Sequence, residues 1–155
     1  MQDKGGSMIV KDLMTKDVVT VSPVMSVHDL AELLIEKDIS GAPVVDEDGK
    51  LVGIVQEESI IFHDKKVHLP TFINLSMGFL TLGIHRLEEE IKKVTAIKIA
   101  DIMQKEPLVV SPQMPIEDLA TLMVEKRVYY FPVVENEKLV GVVTKKDIVR
   151  SIAQE

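Results

Sequence analysis

The sequence predicts a mixed α/β (α+β) fold made of two pseudo-symmetric copies of one β-α-β-β-α unit. Three observations predict it. The run Val10-Lys11-Asp12-Leu13-Met14 returns as Ile99-Ala100-Asp101-Ile102-Met103. The same signals then follow in the same order in both halves: Ser-Pro, Asp-Leu-Ala, Pro-Val-Val and Leu-Val-Gly. Each half alternates short β-branched runs with stretches of helical period. The copies stay in register up to their second turn, where Asp46-Glu47-Asp48-Gly49-Lys50 shortens to Glu135-Asn136-Glu137-Lys138. Residues 8–62 form the first copy, 97–155 the second and 63–96 an insertion between them; residues 1–7 read as a flexible leader.

The first element of each copy is a short strand. Val18-Val19-Thr20-Val21 ends at Ser22-Pro23, and Leu108-Val109-Val110 ends at Ser111-Pro112. A helix follows. Val27, Leu30, Ala31, Leu34 and Ile35 recur at helical spacing, and Ser26 with Asp29 fits a capped start. Its counterpart carries Ile116, Leu119, Ala120, Met123 and Val124 and begins through Pro115. Next comes a hairpin, Ala42 to Val45 with Leu51 to Val55, closed by an acidic turn containing glycine. Phe131 to Val134 and Leu139 to Val143 repeat it. The last helix starts near Glu57 in the first copy and spans Lys145 to Ala153 in the second.

The insertion has no counterpart. Leu69 to Leu80 is apolar, and Ile84, Leu87, Ile91 and Val94 share one face of an expected amphipathic helix. The apolar part needs a cover, from this chain or from a second subunit.

Composition excludes several function classes. The chain has 155 residues, 46% hydrophobic, with no cysteine and no tryptophan. Disulfides, thiolate metal sites and cysteine nucleophiles are therefore absent. No apolar run is long enough for a membrane span, so the expectation is a cytoplasmic protein without membrane contact. A net charge of −7 with scattered cations disfavours nucleic acid. No nucleophile–base pair, metal-ligand set or phosphate loop points to an enzyme. His63, Asp64 and His68 do not share a helical face, so no metal site is expected. His28 and His85 read as helix residues and the methionines as packing.

At Asp-Leu-Met-Thr, Asp-Ile-Met-Gln, Ile39-Ser40-Gly41-Ala42-Pro43-Val44-Val45 and Gly141-Val142-Val143-Thr144-Lys145-Lys146-Asp147, the chain resembles the cystathionine-β-synthase (CBS) domain family. Two motifs in tandem resemble its paired form, the Bateman module. The resemblance implies motifs packed through their sheets, two clefts, and a regulatory ligand such as AMP, ADP, ATP or S-adenosylmethionine, with no required cofactor. It also implies a stand-alone sensor, a homodimer of modules, and control of an enzyme or transporter that the sequence does not name.

The resemblance places Thr144, Lys146 and Asp147 on ligand phosphate and ribose, opposite Thr20, Ile39, Ser40, Gly41 and Ala42 of the other copy. A helix start offers free N–H groups for phosphate, and a carboxylate can accept from ribose hydroxyls. A capping arrangement between Thr144 and Asp147 would need no ligand, and the two readings are compatible. Gly41 has a parallel alternative as a turn glycine. The second cleft departs from the pattern. Gln56 and Ser59 replace the threonine and aspartate, Val109 stands in place of Thr20, and Tyr129-Tyr130-Phe131 replaces the small trio. One nucleotide-competent cleft and one degenerate cleft are expected, with the aromatics either stacking on a base or filling core. The alternative function is a ligand-independent dimerisation or protein-interaction module acting through the insertion.

Overall fold

Two prolines decide how the first strand of each repeat pairs. In the computed structural model, which describes residues 8–64 and 97–154, Val21 forms a single parallel bridge to Val44. Its N–H donates to the Pro43 carbonyl at 3.0 Å, and its carbonyl accepts from Val45 N–H at 2.9 Å. One step earlier the ladder would need an N–H from Pro43. One step later it would need one from Pro23. Proline has neither. Val110 bridges Val133 in the same way, between Pro132 and Pro112. The strands expected at 18–21 and 108–110 are thus reduced to one bridging residue each.

The remaining elements, in chain order, are α1 (Val10–Leu13), α2 (Val27–Lys37), β1 (Gly41–Val45), β2 (Leu51–Gln56) and α3 (Glu57–Asp64). After the insertion come α4 (Ile99–Ile102), β3 (Gln104–Lys105), α5 (Ile116–Lys126), β4 (Tyr130–Glu135), β5 (Lys138–Thr144) and α6 (Lys145–Ala153). Ser26 Oγ accepts from Asp29 N–H at 3.1 Å and starts α2. Pro115 is the N-cap of α5, the residue through which that helix was expected to begin. Asp38 and Arg127 end these two helices in the left-handed conformation.

The helical turns α1 and α4 are not visible in the sequence pattern, being too short to show a period. Each is held by its own aspartate: Ile9 N–H donates to Asp12 Oδ2 at 2.9 Å, and Lys98 N–H to Asp101 Oδ2 at 3.1 Å. The expectations for the leader and for most of the insertion, including its helix, His68 and His85, lie outside the described residues.

The described chain divides into two units, and the division does not follow the repeats. One unit gathers 8–19, 48–51 and 106–154; the other gathers 20–47, 52–64 and 97–105. In the first, α1 docks beside the start of α5: Val10 N–H meets Met114 O and Lys11 N–H meets Pro112 O, both at 2.9 Å. Thr15 then pairs with Val142 through two bonds of 2.9 and 3.0 Å. In the second, Ile99 N–H meets Met25 O and Ala100 N–H meets Pro23 O, both at 2.9 Å, and β3 pairs antiparallel with β2. Each repeat therefore lends its opening turn to the body of the other.

Each unit has its own core. Val10, Val110, Leu119, Met123, Phe131, Val133 and Val143 fill one, with Met14 and Met114 at its margin. Val21, Leu30, Leu34, Ala42, Val44, Val55 and Ile99 fill the other, with Met25 and Met103 at its margin. Ile35 and Val124, expected on the apolar stripes of α2 and α5, are instead 81% and 74% exposed. Each sits 100° past the last core-facing residue of its helix.

Candidate functional site

The sequence Thr144-Lys145-Lys146-Asp147 turns strand into helix. Thr144 is the last residue of β5, opposite Tyr130 of β4, and its extended backbone (φ −133°, ψ 172°) makes it the N-cap of α6. Asp147, three residues on, turns back over that start. Its Oδ2 accepts from Thr144 N–H at 2.8 Å and from Thr144 Oγ1 at 3.4 Å. The capping arrangement is therefore real. It places a carboxylate at the positive end of a helix, where a negative charge is stabilised. Asp147 is only 5% exposed, and it is the one buried charged side chain among the described residues.

The surroundings of this carboxylate are cationic. Arg150 Nη1 donates to Asp147 Oδ1 at 3.0 Å from one helical turn on. Lys145 Nζ lies 5.4 Å from the centre of the Tyr129 ring, within range of a cation–π contact. Lys146 is exposed. Neither Arg150 nor the Lys145–Tyr129 contact was singled out in the sequence. The i,i+3 spacing of Asp147 and Arg150 was the available signal.

The three aromatics of this unit have separate fates. Phe131 is fully buried in the core and Tyr130 is 5% exposed, while Tyr129 is half exposed. Burial pushes the Tyr130 phenol well above its ordinary pKa, so it stays neutral. Val109 is exposed beside the single bridge at Val110.

In the other unit, Thr20 and Ser40 are exposed, Ile39 is half-buried at the edge of the core, and Gly41 and Ala42 are buried. Ser40 O accepts from Glu57 N–H at 2.9 Å, tying the start of β1 to the start of α3. Tyr129 O and Lys145 N–H make the matching tie at 3.1 Å. Gly41 is a strand residue, not a turn glycine: a Cβ on it would stand 2.6 Å from the Val55 carbonyl oxygen. At the start of α3, Gln56 N–H donates to Ser59 Oγ at 3.3 Å. Ser59 thus keeps the capping role of Asp147 without its charge.

His28, Asp29 and Glu32 bring their ligand atoms within 4.8 Å of one another on α2. All three are exposed, and His28 Nε2 already lies 3.0 Å from Glu32 Oε1. The side chains of His63 and Asp64 fall outside the described residues. No described helix is long and apolar enough to cross a membrane.

The CBS domain family matches residues 10–66 and 99–154. The chain belongs to the CBS domain family. As a tandem CBS pair it is 34% identical to an uncharacterized protein of Methanocaldococcus jannaschii, over 96% of this chain and 93% of that one. It is 32% identical to the chloroplastic CBS domain-containing protein CBSX2 of Arabidopsis thaliana, covering 97% of this chain and 66% of the relative. The crystal structure of CBSX2 in complex with AMP superposes with a TM-score of 0.70, over 94% of this chain and 96% of that one. A CBS domain pair solved with 5′-methylthioadenosine and S-adenosyl-L-methionine is 25% identical, with a TM-score of 0.67 over 94% of this CBS pair and 99% of that one.

Proposed function

We propose that this CBS pair is a regulatory module that binds an adenosine-containing ligand (AMP, ADP, ATP or S-adenosylmethionine) and catalyses no reaction itself. The observation that carries the reading is the buried Asp147 carboxylate at the start of α6, flanked by Lys145 and Lys146. Related pairs solved with AMP and with S-adenosyl-L-methionine support the ligand class. In this reading Asp147 accepts from ribose hydroxyls, while Thr144, Lys146 and the free N–H groups of the helix take phosphate. Thr20, Ile39, Ser40, Gly41 and Ala42 serve the base. Gln56, Ser59, Val109, Tyr129 and Tyr130 belong to a degenerate second cleft, which lacks a carboxylate at Ser59. The module acts in the cytoplasm on an enzyme or transporter.

A homodimer is part of the same proposal. Ile35 on α2 and Val124 on α5 occupy equivalent positions in the two repeats and are exposed, as are the equivalent Ile61 and Val149. Apolar exposure repeated at matching positions suits a second copy of this chain.

Titration calorimetry with AMP, ATP and S-adenosylmethionine tests the ligand reading. One saturable site per chain, lost in Asp147→Ala while that variant still unfolds cooperatively, is the expected result. Silence from all three ligands would leave a dimerisation or interaction module as the function.

A further inference from the structure

Asp147 has two oxygens, and the structure occupies both. Oδ2 is committed to the helix start through Thr144 N–H at 2.8 Å. That contact is local and cannot be given up without losing the cap. Among the described residues Oδ1 is held only by Arg150 Nη1, at 3.0 Å and through one prong of the guanidinium. The Arg150 side chain is 61% exposed, against 7% for that of Asp147. Water can therefore take over the guanidinium at little cost, whereas the carboxylate has no other freedom.

We propose that Arg150 is a specificity-determining residue that competes with the ligand's vicinal sugar hydroxyls for Oδ1 of Asp147. This rests on the adenosine-binding reading above. A carboxylate offers roughly four acceptor positions. Thr144 fills two of them on Oδ2, through its N–H at 2.8 Å and its Oγ1 at 3.4 Å, and Arg150 fills a third on Oδ1, so two hydroxyl donors cannot both be placed without moving Arg150. A ligand with both hydroxyls repays the displacement by replacing one donor with two. A sugar without them leaves the ion pair in place. Arg150 thereby raises the threshold for any ribose and sets how strongly the site separates it from a deoxygenated sugar.

The test uses uncharged ligands, so that removing a cation does not also weaken attraction for phosphate. Adenosine and 2′,3′-dideoxyadenosine are titrated into the full chain and into Arg150→Met, which keeps the apolar stem. The variant is expected to bind adenosine about two- to fivefold more tightly, the range of an exposed ion pair, with dideoxyadenosine unchanged. Equal shifts for both ligands, weaker adenosine binding or no change would overturn the proposal. In the unaltered protein, adenosine should shift the Arg150 guanidinium NMR signal and dideoxyadenosine should not; equal response to both would also overturn it. Binding with an unaltered sugar preference sinks the role of Arg150 alone. Absence of any binding by adenosine, AMP and ATP sinks the adenosine site and this inference with it.

Discussion

Gly141 sits where a side chain has no room. A Cβ there would lie 2.7 Å from Met14 Sδ and 2.9 Å from the Thr15 carbonyl oxygen. The methionine can move, but Thr15 O is fixed by its bond from Val142 N–H. Gly141→Ala should therefore destabilise the protein by about 1–3 kcal/mol, as overpacking does, read as a lower urea midpoint at unchanged slope. Gly53 faces Met103 and the Gln104 carbonyl oxygen in the same manner in the other unit. The repeated glycines thus have a packing reason that the sequence motif does not display. Of the candidate site, the Thr144–Asp147 partnership was legible because a three-residue spacing at a helix start has one local geometry. The second partner of the carboxylate was not, since an arginine on a helix can reach several neighbours.

Among the elements, the turn between β4 and β5 is open to improvement. Asn136 and Glu137 connect the paired residues Glu135 and Lys138, and both have positive φ, 53° and 66°. Two left-handed residues in a row make the hairpin turn that suits twisted strands, and it prefers glycine at its second position. Glu137→Gly should stabilise the protein by roughly 0.5–1 kcal/mol, seen as a higher thermal midpoint. The first hairpin spends one more residue and uses Gly49 at φ 80°, which explains the length difference between the repeats. Helices α2, α5 and α6 and both hairpins were readable because each carries a full period and a turn signal. The opening strands were misread because β-branched composition speaks for extended backbone but not for a partner. Here prolines on both sides remove the donors a ladder needs. Ser26→Ala removes the cap of α2 and should cost about 1 kcal/mol, measurable by chemical unfolding.

At the scale of the whole molecule, the exposed Ile35 and Val124 predict self-association. Sedimentation should find a dimer. Replacing both residues with lysine should shift it toward monomer while leaving secondary structure intact; an unchanged sedimentation coefficient would count against a role for these two positions. The reciprocal loan of opening turns has a consequence for how the chain folds. Thr15 must find Val142 across most of the sequence, so contacts of very high sequence separation complete each core, and such contacts slow folding. A polypeptide ending before the second repeat would lack α4 and β3, leaving Gly53 and Ile54 as an open strand edge. Separately produced halves, each unstable alone, should reconstitute when mixed, with circular dichroism recovering only in the mixture. On the same physics, an ancestor carrying a single repeat would have completed its core only by trading opening turns with a second molecule. Joining two such copies end to end would turn a strand-exchanged dimer into one chain, at a fixed one-to-one ratio of its halves.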